Sequence, residues 1–348
     1  MKKLLSLIIP AIILVGCNSG GSSSSNNLSS NNSSVSANNN TQAINNQWQR
    51  IGKGESDFSL TSSSNFDPYS HAIYSLNIDS NDIYLCKLDF SATSQAVPSC
   101  KVSSILNDYV TNSTFVSDSN GHIYLIAQSI VDGNFYLLSY NVTTQNWLEP
   151  LPLSGLSIKD MKTLIYNNNY FYSNGLIYIS RTGMPGSEIS NNQDLITINP
   201  VNAIVTDYDN FFMGGIPSYY FNVNNQKIYY FSQANYALNI QNLDESKSQI
   251  IDTPNIDPVM GIAIDESQNI YICNNEQGKI YTKNLLDTDN NWHEFIPTSI
   301  TKLGQSTACQ SIASAKIDGH NYLITYGYYY KTQYALNPVY GWSKFLLN

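Results

Sequence analysis

The eleven residues IDESQNIYICN, from Ile264 to Asn274, hold the pattern on which the fold turns. An apolar run ends at Ile264, a polar run opens at Asp265, and β-branched and aromatic residues resume at Ile270. Two apolar segments separated by so short a polar run read as antiparallel strands joined in a hairpin. Side chains alternate along a strand, so Ile270 and Tyr271 point to opposite faces of the second one.

Working outward, the same unit recurs as IDSNDIYLC (78 to 86), SDSNGHIYLIA (117 to 127), YSNGLIYIS (172 to 180), VNNQKIYYFS (223 to 232) and IDGHNYLIT (317 to 325), the last with Asn321 in place of the Ile. Its tyrosines, Tyr84, Tyr124, Tyr178, Tyr229, Tyr271 and Tyr322, are separated by 40, 54, 51, 42 and 51 residues. Periods of about 40 to 50 residues suit a four-stranded propeller blade. One blade cannot cover both of its own faces, so stacking around a ring supplies the missing burial. The sequence thus predicts an all-β chain, a β-propeller of six four-stranded blades over residues 47–348. In each blade an Asp, Asn or Gly turn joins the innermost strand to the second. A β-sandwich or two small β domains is the competing architecture.

Outer strands follow in several units. NFYLLSYNVTTQNWLEPLP (134 to 152) reads as third strand, turn and fourth strand, with Trp147 packing between blades. KIYTKNLLDTDNNWHEFIP (279 to 297) puts Trp292 in the corresponding place, and Trp342 is expected to repeat the role in NPVYGWSKFLLN (337 to 348). NNQWQRIG (45 to 52) offers a further strand around Trp48. Either that strand completes the last blade and seals the ring, or residues 341–347 complete it and the Trp48 strand caps the first blade.

The longer stretch PVMGIAIDESQNIYICNNEQGKIYTKNL (258 to 285) resembles the NHL or SMP-30-like propeller repeat, in which an apolar strand leads to Asp, then Gly or Asn, then Ile-Tyr. The likeness supports the fold and is diluted in the other blades, where Asn or Gln often replaces Gly. SMP-30-like lactonases hold a central metal, often calcium, through acidic and amide side chains, and that resemblance draws attention to Asp265, Glu266 and Asp318. Read on their own, Asp265 and Asp318 recur at the inter-strand turn, where Asp caps local backbone groups, and Glu266 is a solvated turn residue.

At the start of the chain, MKKLLSLIIPAIILVGC places two lysines before an apolar run from Leu4 to Gly16. The run is too short to span a bilayer and reads as a signal peptide over residues 1–16. It ends in Leu14-Val15-Gly16-Cys17, which resembles the lipobox of bacterial lipoproteins. By that resemblance Cys17 is the acylated first residue of the mature chain, carrying palmitate-type chains. Asn18 follows, where such proteins of Gram-negative cells often use Asp to stay in the inner membrane, so the implied address is the outer membrane. Whether the protein sits on the periplasmic side or at the cell surface is open at this stage. Residues 18–46 are dominated by Ser, Asn and Gly and contain no charged residue. Such a stretch cannot bury enough surface to offset its ordering entropy, so with Cys17 it reads as a flexible tether over 17–46. As a coil it spans about 30 Å on average and about 95 Å fully extended.

Composition narrows the functional classes. The 348 residues include 26 Tyr and 12 Phe with 12% charged side chains, which argues against a wholly disordered chain or a coiled coil. Net charge is −9, and −11 once Lys2 and Lys3 leave with the leader, so nucleic acid finds no general electrostatic help. No Gly-rich phosphate loop, His-Glu-x-x-His pattern or Gly-x-Ser-x-Gly elbow is present, and no catalytic or cofactor-binding residue is assigned.

Four cysteines follow Cys17, in a compartment that permits disulfides, and allow three pairings. The expected bridges are Cys86 with Cys100 and Cys273 with Cys309, with Cys86 and Cys273 both on second strands. Four buried free thiols are the alternative. There is no Cys-x-x-Cys and the four histidines are scattered, so no metal site is expected.

Two aromatic clusters remain. Tyr208, Phe211, Phe212, Tyr219, Tyr220 and Phe221 surround the loop Met213-Gly214-Gly215-Ile216-Pro217, and Tyr326, Tyr328, Tyr329, Tyr330 and Tyr334 form the second. Exposed Tyr suits protein or glycan contact, having a rigid apolar face and a hydroxyl edge. Tyr219, Tyr220, Tyr329 and Tyr330 are the candidate recognition residues; core packing accounts for at least half of the clusters. The leading expectation is an outer-membrane-tethered interaction or scaffold module that binds an envelope protein. The alternatives are a calcium-dependent lactonase-like hydrolase and a glycan-binding lipoprotein.

Overall fold

The computed structural model describes residues 48–52, 64–79, 82–93, 96–110, 115–156, 170–181, 194–209, 211–212, 217–232, 237–254, 259–274, 279–288, 291–295, 308–329 and 339–347. Residues 1–46, over which the signal peptide, Cys17 and the tether are expected, and Tyr330 lie outside them.

The chain forms six antiparallel sheets, the six blades of a β-propeller. After β1 (Gln49–Ile51), blade 1 holds β2 (Ser64–Asp67), β3 (Ala72–Asp79), β4 (Asp82–Asp89) and β5 (Ser99–Val102). In blade 2, β6 (Tyr109–Val110) and β7 (Phe115–Ser117) both pair with β8 (His122–Ser129), which pairs with β9 (Phe135–Asn141). The outer edge of β9 takes β10 (Asn146–Trp147) and β11 (Leu151–Pro152). Blade 3 is β12 (Tyr170–Ser173), β13 (Leu176–Arg181), β14 (Asp194–Asn199) and β15 (Ile204–Tyr208), and blade 4 is β16 (Pro217–Asn224), β17 (Lys227–Ser232), β18 (Ala237–Asn242) and β19 (Ser248–Asp252). Blade 5 is β20 (Val259–Ile264), β21 (Asn269–Asn274), β22 (Ile280–Asn284) and β23 (His293–Phe295). Blade 6 is β24 (Ala308–Ile317), β25 (His320–Tyr329), β26 (Val339–Leu347) and then β1, whose Gln49 and Ile51 stand opposite Lys344 and Trp342. The strand beside Trp48 therefore completes the last blade and seals the ring.

Six hydrophobic clusters fill the six gaps between neighbouring blades. Period-two alternation divides each second strand between two of them. Ile123, Leu125 and Ala127 face blade 1, while Tyr124 and Ile126 face blade 3. Likewise Ile228 and Tyr230 face blade 3, while Tyr229 and Phe231 face blade 5. The Ile-Tyr pair is thus a two-sided contact, with Ile set against the preceding blade and Tyr against the next. Full burial of such a side chain contributes about 1.5 to 3 kcal/mol.

Three of the turns that lead into these second strands are tight. Asn174-Gly175, Asn225-Gln226 and Asp318-Gly319 each place two consecutive residues at positive φ, as a type I′ hairpin turn requires. Gln226, at φ 61°, takes the place where glycine would be free of strain.

Blade 1 corrects the sequence reading. IDSNDIYLC spans the turn between β3 and β4, so Tyr84 lies on the third strand and Tyr74 takes the repeat position on the second. Tyr74 precedes Tyr124 by 50 residues, close to the other periods. Asp79 to Asp82 imitates the repeat turn in local chemistry, and only packing against blade 2 separates the two hairpins. Cys86 accordingly lies on the third strand, opposite Cys100 on the fourth, and the two form a disulfide within the blade. The second disulfide, Cys273 to Cys309, joins β21 to β24 and so ties blade 5 to blade 6.

The tryptophans sort in the same way. Trp147 and Trp292, at the fourth strands of blades 2 and 5, pack toward the preceding blade and donate to Ser103 Oγ (3.2 Å) and the Asp252 carbonyl (2.9 Å). Their counterpart in blade 6 is Trp48, which packs against Phe345 and the blade 5 interface. Trp342 does not repeat that role: it sits on the third strand and faces blade 1.

Candidate functional site

Neighbouring first strands pack side by side, β2 on β7, β7 on β12, β12 on β16, β16 on β20 and β20 on β24, so they line the ring axis. Side chains tie these strands to one another: Asn65 Nδ2 donates to the Phe115 carbonyl at 3.0 Å, and Ser314 Oγ donates to the Ile264 carbonyl. Antiparallel order then gives the propeller two unlike ends. Turns from first to second and from third to fourth strand lie at one end, which we call the turn face. Connections from second to third strand, and from blade to blade, lie at the other, the loop face.

Four acidic side chains on the turn face, Asp67, Asp118, Asp265 and Glu266, are engaged in holding it together. Asp118 is buried and accepts from the Asn120 and His122 amides (both 2.8 Å), from the Tyr124 hydroxyl (2.9 Å) and beside His122 Nδ1 (3.3 Å). His122 and Tyr172 stack on the two sides of Tyr124. Asp265 repeats the arrangement in blade 5, accepting from the Asn269 amide (2.8 Å), Asn269 Nδ2 (2.9 Å) and the Tyr271 hydroxyl (3.0 Å). Burial, and then the adjoining carboxylate, hold both hydroxyls well above the ordinary tyrosine range. In blade 1, Asp67 is fully buried and accepts from the Ser70 amide (2.9 Å) and hydroxyl; burial raises its pKa against those bonds. Glu266 pairs with Lys316 at 2.6 Å, and Asp318 forms a two-residue turn. The three residues raised by the lactonase comparison are therefore a cap, an ion pair and a turn, all on this face.

The loop face is built differently. In β16, Pro217 stands opposite Ser232 and Phe221 opposite Tyr230, so Ser218, Tyr219 and Tyr220 share a single partner position at Phe231. In β20 the register skips Met260, between Val259 opposite Asn274 and Gly261 opposite Cys273. In β24 it skips Gln310, between Cys309 opposite Gly327 and Ser311 opposite Tyr326. Three consecutive first strands thus carry a β-bulge near the end where they leave the loop face. Bulges take backbone groups out of the ladder and re-aim the chain.

Tyr219 and Tyr220 fall inside the first of these bulges, and Tyr329, opposite Val339, marks the loop-face end of β25. The structure therefore brings these three candidates to one face, on blades 4 and 6, with blade 5 between them. Of the surrounding clusters, Phe211, Phe212 and Tyr326 are core residues, and residues 213–216 lie outside the described chain.

Two further features belong to this face, the first being the expected Cys273–Cys309 bridge and the second one that escaped the sequence reading. The Cys273–Cys309 bridge lies beside two bulges, since Cys273 faces Gly261 and Cys309 precedes Gln310. Gly261 allows β20 to press on β24: a Cβ there would stand 2.8 Å from Ile312 Cγ2 and 3.0 Å from the Ile312 nitrogen. The second feature is a group of carboxylates in blade 3, Asp194, Asp207 and Asp209, whose oxygens come within 4.8 Å of one another. That donor set could hold a cation, and Asp194 and Asp207 also have interactions of their own within the protein. A bulge has no local signal, because it is a mismatch in count between two paired strands; the acidic group joins residues from two strands and the segment after them.

The chain matches no protein-family model, and no curated protein matches it. Among solved structures it is similar to a chain of a nidogen/laminin complex, with TM-score 0.43 and 8% identity over 72% of this chain and 87% of that one. A streptogramin B lyase structure aligns with TM-score 0.42 and 12% identity over 88% of this chain and 96% of the other. A structure of YCF48 bound to D1 peptide aligns with TM-score 0.43 and 9% identity over 79% of each chain.

Proposed function

We propose that this protein is an outer-membrane lipoprotein, anchored through acylated Cys17 and a Ser/Asn tether, whose propeller binds an envelope protein through its loop face. The observation that carries the binding assignment is the difference between the ends. Asp118 and Asp265 of the turn face are engaged with Tyr124 and Tyr271 in its own caps, whereas the loop face carries three bulges and the Tyr219, Tyr220 and Tyr329 positions. The anchor assignment rests on Leu14-Val15-Gly16-Cys17 and on the uncharged stretch after it. Several acyl chains hold a protein firmly, at about 0.8 kcal/mol per buried CH₂, where a single chain holds only reversibly. The repeat in blade 5 is the basis for relating the propeller to NHL or SMP-30-like repeats.

Labelling cells with a clickable palmitate analogue tests the anchor. The wild-type chain takes the label and fractionates with the outer membrane, and Cys17→Ala abolishes both. In-cell cross-linking then recovers an envelope protein from the wild type and loses it with Cys17→Ala. An unlabelled wild-type chain ends the lipoprotein reading, and failure to recover any protein under several cross-linkers ends the interaction reading. A glycan partner at the same face is the alternative, scored on a glycan array.

A further inference from the structure

We infer that the Cys86–Cys100 bridge is a thiol–disulfide exchange site, attacked at Cys100 Sγ and matched to an external dithiol, while Cys273–Cys309 is structural. The site depends neither on the loop face nor on the anchor. Access separates the two bridges. Cys100 is exposed on β5, all four of whose residues are exposed, and its partner Cys86 is 2% exposed. Both cysteines of the inter-blade bridge are buried, at 0% and 4%.

Exchange requires a thiolate to approach one sulfur in line with the S–S bond, so the sulfur within reach decides which cysteine leaves. Cys86 and Cys100 stand directly opposite each other on β4 and β5, and the bond between them runs across the ladder. In that direction the sheet ends just beyond Cys100, because no strand pairs the outer edge of β5 among the described residues. Beyond Cys86 in the other direction stands β3, with the buried Ser75 opposite. An external thiolate therefore reaches Cys100, and Cys86 is the leaving group. The ladder survives the opening. The Ser103 amide donates to the Ile83 carbonyl at 2.7 Å, so by alternation Lys101 and Leu85 form the next bonded pair and Cys100 and Cys86 a non-bonded one. Breaking the bridge removes no hydrogen bond between the two strands.

In the first step the thiolate bonds to Cys100 Sγ and the bond to Cys86 breaks, leaving a mixed disulfide and a Cys86 thiolate that takes up a proton. Cys86 stays opposite Cys100 on the adjoining strand, placed to attack again and expel a monothiol. A dithiol escapes that reversal. Its second thiolate attacks its own sulfur in the mixed disulfide and releases Cys100, which is protonated in turn. The dithiol departs as a disulfide, two electrons pass to the protein, and both cysteines end as thiols. Retention of Cys86 thus selects a dithiol over a monothiol.

The test uses the full-length protein in detergent, with dithiothreitol and glutathione as probes, timed alkylation and peptide mapping. Dithiothreitol is expected to open Cys86–Cys100 at least about tenfold faster than Cys273–Cys309, with circular dichroism unchanged. Glutathione gives an adduct on Cys100 that reverts to the bridge when free glutathione is removed. Oxidised glutathione labels Cys100 in Cys86→Ala at least about tenfold faster than Cys86 in Cys100→Ala. Should either variant fail to fold, the wild-type adduct supplies the same assignment. Acid-quenched cells expressing Cys86→Ala separate the sources: a protein adduct on Cys100 marks a protein dithiol, and a low-mass adduct a small one. The inference is overturned by an adduct on Cys86, by one on Cys100 that persists after glutathione is removed, by equal labelling of the two variants, by no adduct in cells, or by a bridge that opens only as the chain unfolds.

Discussion

The two ends of the propeller are made from the same strands and differ in what their polar groups do. At the turn face, Asp118 and Asp265 each bond the turn that follows and the tyrosine of the second strand. At the loop face the ladder is interrupted in blades 4, 5 and 6, and a covalent bridge sits between two of the interruptions. A ring assembled from repeats can thus concentrate its local stability at one end and leave the other to vary. Trp48 belongs to the stable end, since β1 starts there.

The sharpest way to break this contrast is Trp48→Ala. Trp48 is 6% exposed and belongs to the strand that closes the ring, so its loss should cost about 3 to 5 kcal/mol in urea unfolding, while removal of residues 18–46 should leave the midpoint unchanged. An unaffected midpoint for Trp48→Ala would mean that residues 339–347 close the blade unaided.

The staple at the loop end comes next. The Cys273–Cys309 bridge closes a separation of 36 residues, and its removal by Cys273→Ala/Cys309→Ala should cost about 4 kcal/mol on the chain-entropy account. Cys86–Cys100 closes only 14, for about 3 kcal/mol. Cys100 is exposed whereas both cysteines of the inter-blade bridge are buried, so mild reductant should open Cys86–Cys100 first, as timed alkylation and peptide mapping would show. The reverse order would indicate that the loop end opens more readily than its packing implies.

On the turn face, Asp118→Ala and Asp265→Ala should each cost about 2 to 3 kcal/mol, because several buried donors lose a charged acceptor. Tyr124→Phe and Tyr271→Phe should cost about 1 kcal/mol each, as one donor leaves and the other bonds to the carboxylate remain.

The same hydroxyls set an alkaline limit. Tyr74, Tyr124, Tyr178, Tyr229 and Tyr271 all have pKa values raised above the ordinary 10.0, chiefly by burial. Above pH 10 the unfolded chain therefore binds fewer protons than the folded one, and stability present below that pH falls as pH rises. Ultraviolet titration should show phenolate appearing in step with unfolding, and Tyr124→Phe should move that transition to higher pH. Phenolate formation in a chain that stays folded would show the blade interfaces to be open to solvent.

The smallest effects belong to Val201→Ser and Leu286→Ser, which expose little that is not already exposed and should stay within about 0.5 kcal/mol. A larger loss would place unrecognised packing at the third-to-fourth-strand turns.

How much was legible in advance follows from the range of the interactions. The Ile-Tyr unit was readable because alternation along a strand is local, and it marks the second strand correctly in blades 2 to 6. It failed in blade 1, where SDSN-like turn chemistry occurs between the second and third strands and Tyr84 imitates Tyr74. Trp342 was misplaced for a related reason: a tryptophan before a polar residue looks the same on a third strand as on a fourth. For the candidate site, Tyr219, Tyr220 and Tyr329 could be named from composition, but their common face could not.

The sequence by itself determined an all-β chain of repeated hairpins, each with one side chain for either neighbour, because those properties live within ten residues of each other. It also carried the apolar run that ends at Leu14-Val15-Gly16-Cys17 and the uncharged stretch that follows. Only the tertiary structure decided where each blade begins, that β1 rather than β26 supplies the last strand, and that three bulges line up at one mouth. Those outcomes depend on register between distant segments and on which blade faces which. A pairing between residues 51 and 342 leaves no trace in the neighbours of either residue, so it becomes visible only once the ring has closed.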